Sequence, residues 1–167
     1  MRWLTTLAAA MALLALTACG EQTTQSDEPD LIGTGKTADY DFTGTTLDGH
    51  AFDGHSLEGK PAVVWFWAPW CPTCRAQSGT VSELAEQYDG QVAVVGVGGL
   101  DSQDAIEDFA AQVPEVTHLV DDEGAVWQHF RVTAQSHYTV IDADGEILAE
   151  RYLDDDELVD LVEQMAD

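Results

Sequence analysis

Two cysteines with Cys-x-x-Cys spacing, Cys71 and Cys74, are the residues of this chain best suited to covalent chemistry. They follow an apolar run, Trp65-Phe66-Trp67-Ala68-Pro69-Trp70, which is typical of a buried strand that ends at the pair. Thiols at this spacing can close a small disulfide and open it again. If a helix begins at Cys71, its unpaired backbone N–H groups and its dipole stabilise a thiolate there. The pattern predicts a redox centre.

A zinc site and an inert structural disulfide are the two other uses of such a pair. A structural zinc ion needs four ligands, and neither a second Cys-x-x-Cys nor a closely spaced pair of histidines follows. The third cysteine, Cys19, lies far upstream. We therefore expect neither a metal nor a cofactor, and the disulfide alternative stays open at this point.

The first 18 residues form a predicted export signal. Arg2 supplies a basic start, residues 4–16 are largely apolar, and the segment is too short to span a membrane. The motif Leu16-Thr17-Ala18-Cys19 resembles the lipobox of bacterial lipoproteins, which implies lipidation of Cys19. An ordinary signal peptide with a nearby free cysteine is the alternative. An exterior compartment suits Cys71 and Cys74, because disulfides persist there.

The polar segment that follows is predicted to be a flexible linker, residues 19–36, ahead of a folded domain at 37–167. The chain has 31 acidic and 6 basic residues, a net charge of −25. This balance argues against nucleic acid and against binding anionic lipid headgroups by charge. Attachment to a membrane would then depend on the lipid at Cys19.

The hydrophobic pattern alternates between strands and helices, which predicts an α/β fold with parallel pairing and a late antiparallel edge. The predicted elements are a hairpin of 40–42 and 51–52, a buried strand 62–67, a helix 72–88, a strand 91–98, a helix capped by Asp101 that reaches Val113, a strand 116–120, a short helix 125–130, a hairpin of 138–141 and 146–152, and a last helix from Asp154.

The run from Trp67 to Cys74, in this strand order, resembles the thioredoxin fold, and within it the TlpA/ResA/DsbE branch, especially secreted actinobacterial DsbE-like proteins. The resemblance implies a three-layer α/β/α sandwich with a central mixed sheet and an N-terminal β-hairpin. It also implies thiol–disulfide exchange, in which Cys71 attacks and Cys74 resolves the mixed disulfide. Trp70 would shield the pair and offer apolar surface to a partner, beside Pro72 and Thr73.

Three positions depart from the family pattern. Ser136, which follows Gln135 in the stretch from Val132, stands where the family usually has a cis-proline. A cis bond before serine costs about 2.5–4 kcal/mol, so this loop is expected to be trans or strained. Gln77 replaces a glutamate, and Trp65 replaces the buried aspartate of thioredoxin. Both missing groups are carboxylates that could move protons.

His137 is the candidate to compensate, because it follows Ser136 in the loop expected to face Cys71. An imidazolium there would stabilise the thiolate and make the centre more oxidising. The alternative is a histidine that points away at the start of a strand. The other histidines are predicted to be structural or solvated: His50, His55, His118 and His129.

These observations predict a monomeric, membrane-anchored, extracytoplasmic thiol–disulfide oxidoreductase that acts on the thiols and disulfides of exported proteins together with a membrane redox partner. Oxidation is the favoured direction, and reduction of apocytochrome c cysteines is the alternative. A peroxidase would need a threonine where Ala68 stands. A metal (copper) carrier using Cys71, Cys74 and His137, and a binding module without efficient exchange, are further alternatives.

Overall fold

The computed structural model describes residues 33–166. The predicted signal peptide at 1–18 and Cys19 lie outside the described residues. The elements are β1 (Thr43–Thr46), β2 (Ala51–Asp53), a 3-10 helix (Gly54–Leu57), β3 (Ala62–Trp67), α1 (Pro72–Gln87), β4 (Ala93–Gly98), α2 (Gln103–Ala110), β5 (Thr117–Val120), α3 (Ala125–His129), β6 (His137–Ile141), β7 (Ile147–Arg151) and α4 (Asp155–Ala166).

Seven strands form one mixed sheet in the order β2-β1-β5-β4-β3-β6-β7. The pairs β3–β4 and β4–β5 are parallel, whereas β1–β2, β1–β5, β3–β6 and β6–β7 are antiparallel. The strand that leads to the cysteines, β3, is therefore central, and all six of its residues are buried. The predicted mixed sheet with an N-terminal hairpin is confirmed.

Helices cover both faces of the sheet, which confirms the predicted three-layer α/β/α arrangement. Helices α1, α2 and α4 pack on one face in a core that includes Trp65, Trp67 and both cysteines. Helix α3 packs on the other face, where the core includes Phe66. Because alternate residues of a strand point to opposite faces, the two tryptophans of β3 lie on the same side as the cysteines.

Two glycines of β4, Gly96 and Gly98, make room for the ring of Trp67. Trp65 pairs with Gly96 and Trp67 pairs with Gly98 across the β3–β4 ladder. A Cβ atom on Gly98 would lie 2.7 Å from the ring of Trp67, well inside van der Waals contact. The Trp67 ring occupies the space that a side chain on Gly98 would take, and it meets Phe109 of α2 edge-on, with ring centroids 4.8 Å apart. The layer below the cysteines is thus aromatic and closely packed.

The first hairpin strand and the helix predicted from Asp101 to Val113 have the wrong bounds. The first hairpin strand is β1, not 40–42: Phe42 is buried against the core on the α3 face instead, with its ring centroid 5.1 Å from that of Phe130. The N-cap of α2 is Ser102 and the helix ends at Ala110. Asp101 does not cap it, because its carboxylate accepts the N–H of Ser102 at 2.8 Å.

The segment ahead of the predicted domain start also pairs with the sheet. The N–H of Thr34 donates to the carbonyl of Ile147, and the N–H of Ile147 donates to the carbonyl of Lys36, both at 2.8 Å. No helix in the part of the chain that the structure describes is both long and apolar enough to cross a membrane.

Candidate active site

Cys71 and Cys74 lie where β3 passes into α1, as predicted. Cys71 is the N-cap of α1, and its sulfur accepts the backbone N–H of Cys74 at 3.2 Å. Pro72 occupies the first helical position, where its missing N–H costs no hydrogen bond. The sulfur of Cys71 therefore takes the place that a serine or aspartate oxygen takes in an ordinary helix cap. Both cysteines are free thiols in this structure.

The two thiols differ in environment. Cys71 is 4% exposed and Cys74 is fully buried. Burial raises the pKa of the Cys74 thiol to about 12, and the hydrogen bond and the charge of Cys71 act in the same direction. A backbone group of Ala68 and the hydroxyl of Ser136 oppose this shift. Cys74 is thus held as a neutral thiol, and Cys71 is the sulfur nearer to solvent.

Trp70 provides apolar surface beside the pair. Its side chain is 52% exposed, and its indole N–H donates to the carbonyl of Leu100 at 3.1 Å. Leu100, in the loop after β4, is also 52% exposed. Pro72 and Thr73 are exposed on the first turn of α1. A partner that approaches Cys71 would therefore meet Trp70 and the first turn of α1.

Ser136 and Gln77 contact each other one turn of α1 beyond Cys74. Both side chains are buried, and the Ser136 hydroxyl donates a hydrogen bond to Oε1 of Gln77. The amide nitrogen of Gln77 donates to the carbonyl of Leu153 at 3.1 Å. Every peptide bond among residues 33–166 is trans, including the one between the partly buried Gln135 and Ser136. Two of the departures from the family pattern thus contact each other.

His137 lies on the opposite face of the sheet from the cysteines. It pairs with Phe66 across the β3–β6 ladder and packs its ring against that phenylalanine, with centroids 6.1 Å apart. Burial lowers the pKa of His137, and the charge of Glu150 opposes this shift. The next residue, Tyr138, pairs with Trp65 and lies in the core with Cys74. The structure therefore has the orientation in which His137 points away.

Tyr138 is a residue of this region that the sequence did not single out. Its side chain is fully buried, and its hydroxyl has no hydrogen-bond partner among the described residues. Burial raises the pKa of Tyr138, with smaller contributions from the charges of Asp155, Cys74 and Tyr152. The only sequence signal for it was its place in a predicted strand.

Residues 33–166 contain no group of three histidine, cysteine, aspartate or glutamate side chains placed to hold a metal ion. The two cysteines are adjacent, but the histidine that a copper carrier would add is on the other face of the sheet. The geometry therefore gives the metal-carrier alternative no support.

Comparison with known proteins places this site in a family. Residues 33–165 match the Redoxin family. The soluble secreted antigen MPT53 of Mycobacterium tuberculosis H37Rv is 40% identical over 105 residues, which cover 62% of this chain and 60% of the antigen. The DsbE thiol:disulfide interchange protein of Vibrio cholerae is 30% identical over 101 residues, 59% of this chain and 53% of that protein.

A solved structure extends the likeness over more of the chain. The MTB dsbF protein, solved in its mixed oxidized and reduced forms, shares 42% identity and a TM-score of 0.70, covering 75% of this chain and 96% of dsbF. The family match spans the sheet, the helices and the Cys-x-x-Cys pair. The chain therefore belongs to the Redoxin family and has the DsbE-like thioredoxin fold.

Proposed function

We propose that this protein is an extracytoplasmic thiol–disulfide oxidoreductase that exchanges disulfides with exported proteins through Cys71 and Cys74. The observation that carries the proposal is the pairing of the two thiols at the N-terminus of α1, where the sulfur of Cys71 accepts the N–H of Cys74. Its relatives support it, because two of them are named a thiol:disulfide interchange protein and a secreted disulfide oxidoreductase homologous to DsbE.

The two cysteines have different roles in this proposal. Cys71, nearer to solvent and next to the exposed Trp70, forms the mixed disulfide with the substrate sulfur. Cys74, buried one turn further into α1, then closes the internal disulfide with Cys71 and releases the substrate. The reverse sequence transfers the internal disulfide to a substrate dithiol. Both directions use the same intermediates.

The favoured direction is oxidation, and the reduction potential of the Cys71–Cys74 pair tests it. The domain would be equilibrated in glutathione buffers and its thiols counted by alkylation and mass spectrometry. A potential above about −180 mV is expected, as in oxidases and isomerases. A value below about −250 mV would identify a reductant, such as one that serves apocytochrome c, and would overturn the oxidative direction. Cys71→Ser should abolish the transition.

The proposal also places the protein at the outer face of the cell membrane, anchored by a lipid on Cys19 and served by a membrane redox partner. The lipobox-like motif that ends at Cys19 supports the anchor, and the secreted relatives support the compartment. Labelling of cells with a clickable fatty acid, followed by fractionation, tests it. Wild type should be labelled and sediment with membranes, whereas Cys19→Ala should be unlabelled. An unlabelled wild-type protein would remove the anchor.

A further inference from the structure

The amide of Gln77 has one orientation that satisfies its neighbours. Gln77 lies three residues after Cys74 on α1, so the two side chains share a face of the helix. Its Nε2 group donates to the carbonyl of Leu153, which can only accept. Oε1 of Gln77 is therefore turned toward Ser136, and it can only accept as well.

This orientation commits the hydroxyl hydrogen of Ser136. A serine hydroxyl has a single hydrogen and two lone pairs, and the hydrogen is donated to Oε1 of Gln77. Ser136 directly precedes β6, whose Tyr138 lies in the core with Cys74. Its partner Gln77 lies one helical turn from Cys74 on α1, which sets the hydroxyl on the Cys74 side of the sheet. While the Ser136 hydroxyl donates its hydrogen to Gln77, its oxygen can only accept the S–H of Cys74. To donate to a charged Cys74 sulfur, the hydroxyl must rotate its hydrogen away from Gln77.

We propose that Ser136 is a catalytic residue that donates a hydrogen bond to the Cys74 sulfur when that sulfur carries charge, and that Gln77 is a positioning residue which holds the hydroxyl away from it otherwise. The inference rests on the proposed exchange reaction through Cys71 and Cys74. It assigns a function to the two polar side chains that stand where the family pattern has a proline and a glutamate.

In the resolving step such a donor stabilises the charge that the Cys74 sulfur carries once its proton has left. The Cys74 sulfur attacks Cys71 in the mixed disulfide, the Cys71–Cys74 bond forms, and the bond to the substrate sulfur breaks. The two cysteines are oxidised and the substrate disulfide is reduced. The proton lost by Cys74 balances the one gained by the departing substrate sulfur. In the opposite direction Cys74 leaves as a thiolate, so the same hydroxyl serves both directions.

The test uses equimolar dithiodipyridine, a neutral disulfide chosen because the chain carries a charge of −25. Its first thiopyridone is released when Cys71 forms the mixed disulfide, and its second when Cys74 resolves it. In Ser136→Ala the first release should stay at the wild-type rate. The second should slow by about tenfold or more, because hydrogen bonds to charged groups are the stronger ones. Ser136→Thr should restore it.

Gln77→Leu gives a prediction of opposite sign. Without Oε1 the hydroxyl of Ser136 is free to face Cys74, so the second release should become faster than in wild type. Thr139→Val is the matched control: it also removes a buried hydroxyl, from a residue of β6 that pairs with Val64 on the other face of the sheet. Both of its rates should match the wild type.

Three results would separate the possible failures. An unchanged second release in Ser136→Ala, or slowing in both Ser136→Ala and Gln77→Leu, would overturn the role of the hydroxyl. If Ser136→Ala does not fold, equal second-release rates in wild type and Gln77→Leu would overturn it. Absence of the first release in wild type would instead contradict the proposed function itself.

Discussion

The indole N–H of Trp70 donates a 3.1 Å hydrogen bond to the carbonyl of Leu100, which ties the loop after β4 to the residue before Cys71. Leu100 has a φ of 61°, in the left-handed region that costs an L residue about 1–2 kcal/mol. Its side chain is nevertheless 52% exposed, so burial of the side chain does not offset that strain. Strained backbone beside a reactive pair is the pattern expected of a loop held in place for function.

Leu100→Gly should raise the free energy of unfolding by about 0.5 kcal/mol or more. Relief of the left-handed strain outweighs the backbone entropy of glycine, which costs about 0.5–1 kcal/mol. Urea unfolding of the variant against wild type measures this difference. Leu100→Ala, which keeps the strain, should show no gain, and Leu47→Gly, at another exposed leucine, should be destabilised. A loss of stability in Leu100→Gly would mean that the leucine side chain contributes more by packing than its backbone costs.

The reduced protein should lose stability at alkaline pH because of Cys74. Its pKa is raised from 9.0 to about 12 by burial and by Cys71. Below pH 9.0 Cys74 keeps its proton in the folded and the unfolded protein, so its contribution to the free energy of unfolding is fully present. Between pH 9.0 and about 12 the unfolded chain loses a proton that the folded protein keeps. The free energy of unfolding should therefore fall by up to about 1.4 kcal/mol per pH unit there. Urea unfolding of reduced wild type and Cys74→Ala measures the difference, and parallel curves would contradict it.

The elements nearest the cysteines were the most predictable from sequence. Strand β3 is apolar at every position, as a central strand buried on both faces must be. Helix α1 begins at Pro72, which has the fixed φ that a first helical residue needs. Local chemistry determines both boundaries, so the Cys-x-x-Cys pair could be placed without knowledge of the tertiary structure.

The contacts of the polar side chains could not be predicted in this way. Ser136 and Gln77 were visible as departures from the family pattern, but they are 59 residues apart. Only the tertiary fold, which sets the residue before β6 against α1, brings them together. The side to which His137 points depends on strand register, because a shift of one residue exchanges the two faces. The sequence predicted that β6 begins at Tyr138, and the structure begins it at His137.

His118 should make the protein acid-sensitive. It is buried, its Nε2 contacts the carbonyl of Val113 at 3.1 Å, and burial lowers its pKa from 6.5 to about 4. Between these values the unfolded chain binds a proton that the folded protein excludes, so this contribution to stability falls as pH decreases from 6.5 to about 4. His118→Gln should flatten the dependence of unfolding free energy on pH in that window. His50→Gln, in an exposed turn, is the control, and an unchanged slope in His118→Gln would refute the assignment.

His137→Gln should leave the reduction potential of the Cys71–Cys74 pair within about 15 mV of wild type at neutral pH. The ring packs against Phe66 on the far face of the sheet, and burial lowers its pKa, so it is neutral and remote from the sulfur. An imidazolium that stabilised the thiolate by one pKa unit would be worth about 30 mV, and its removal would lower the potential. Equilibration of the two proteins in the same glutathione buffers measures the difference. A decrease of about 30 mV would show that His137 reaches the active site in solution, and the oxidising character of the pair would then be ascribed to it.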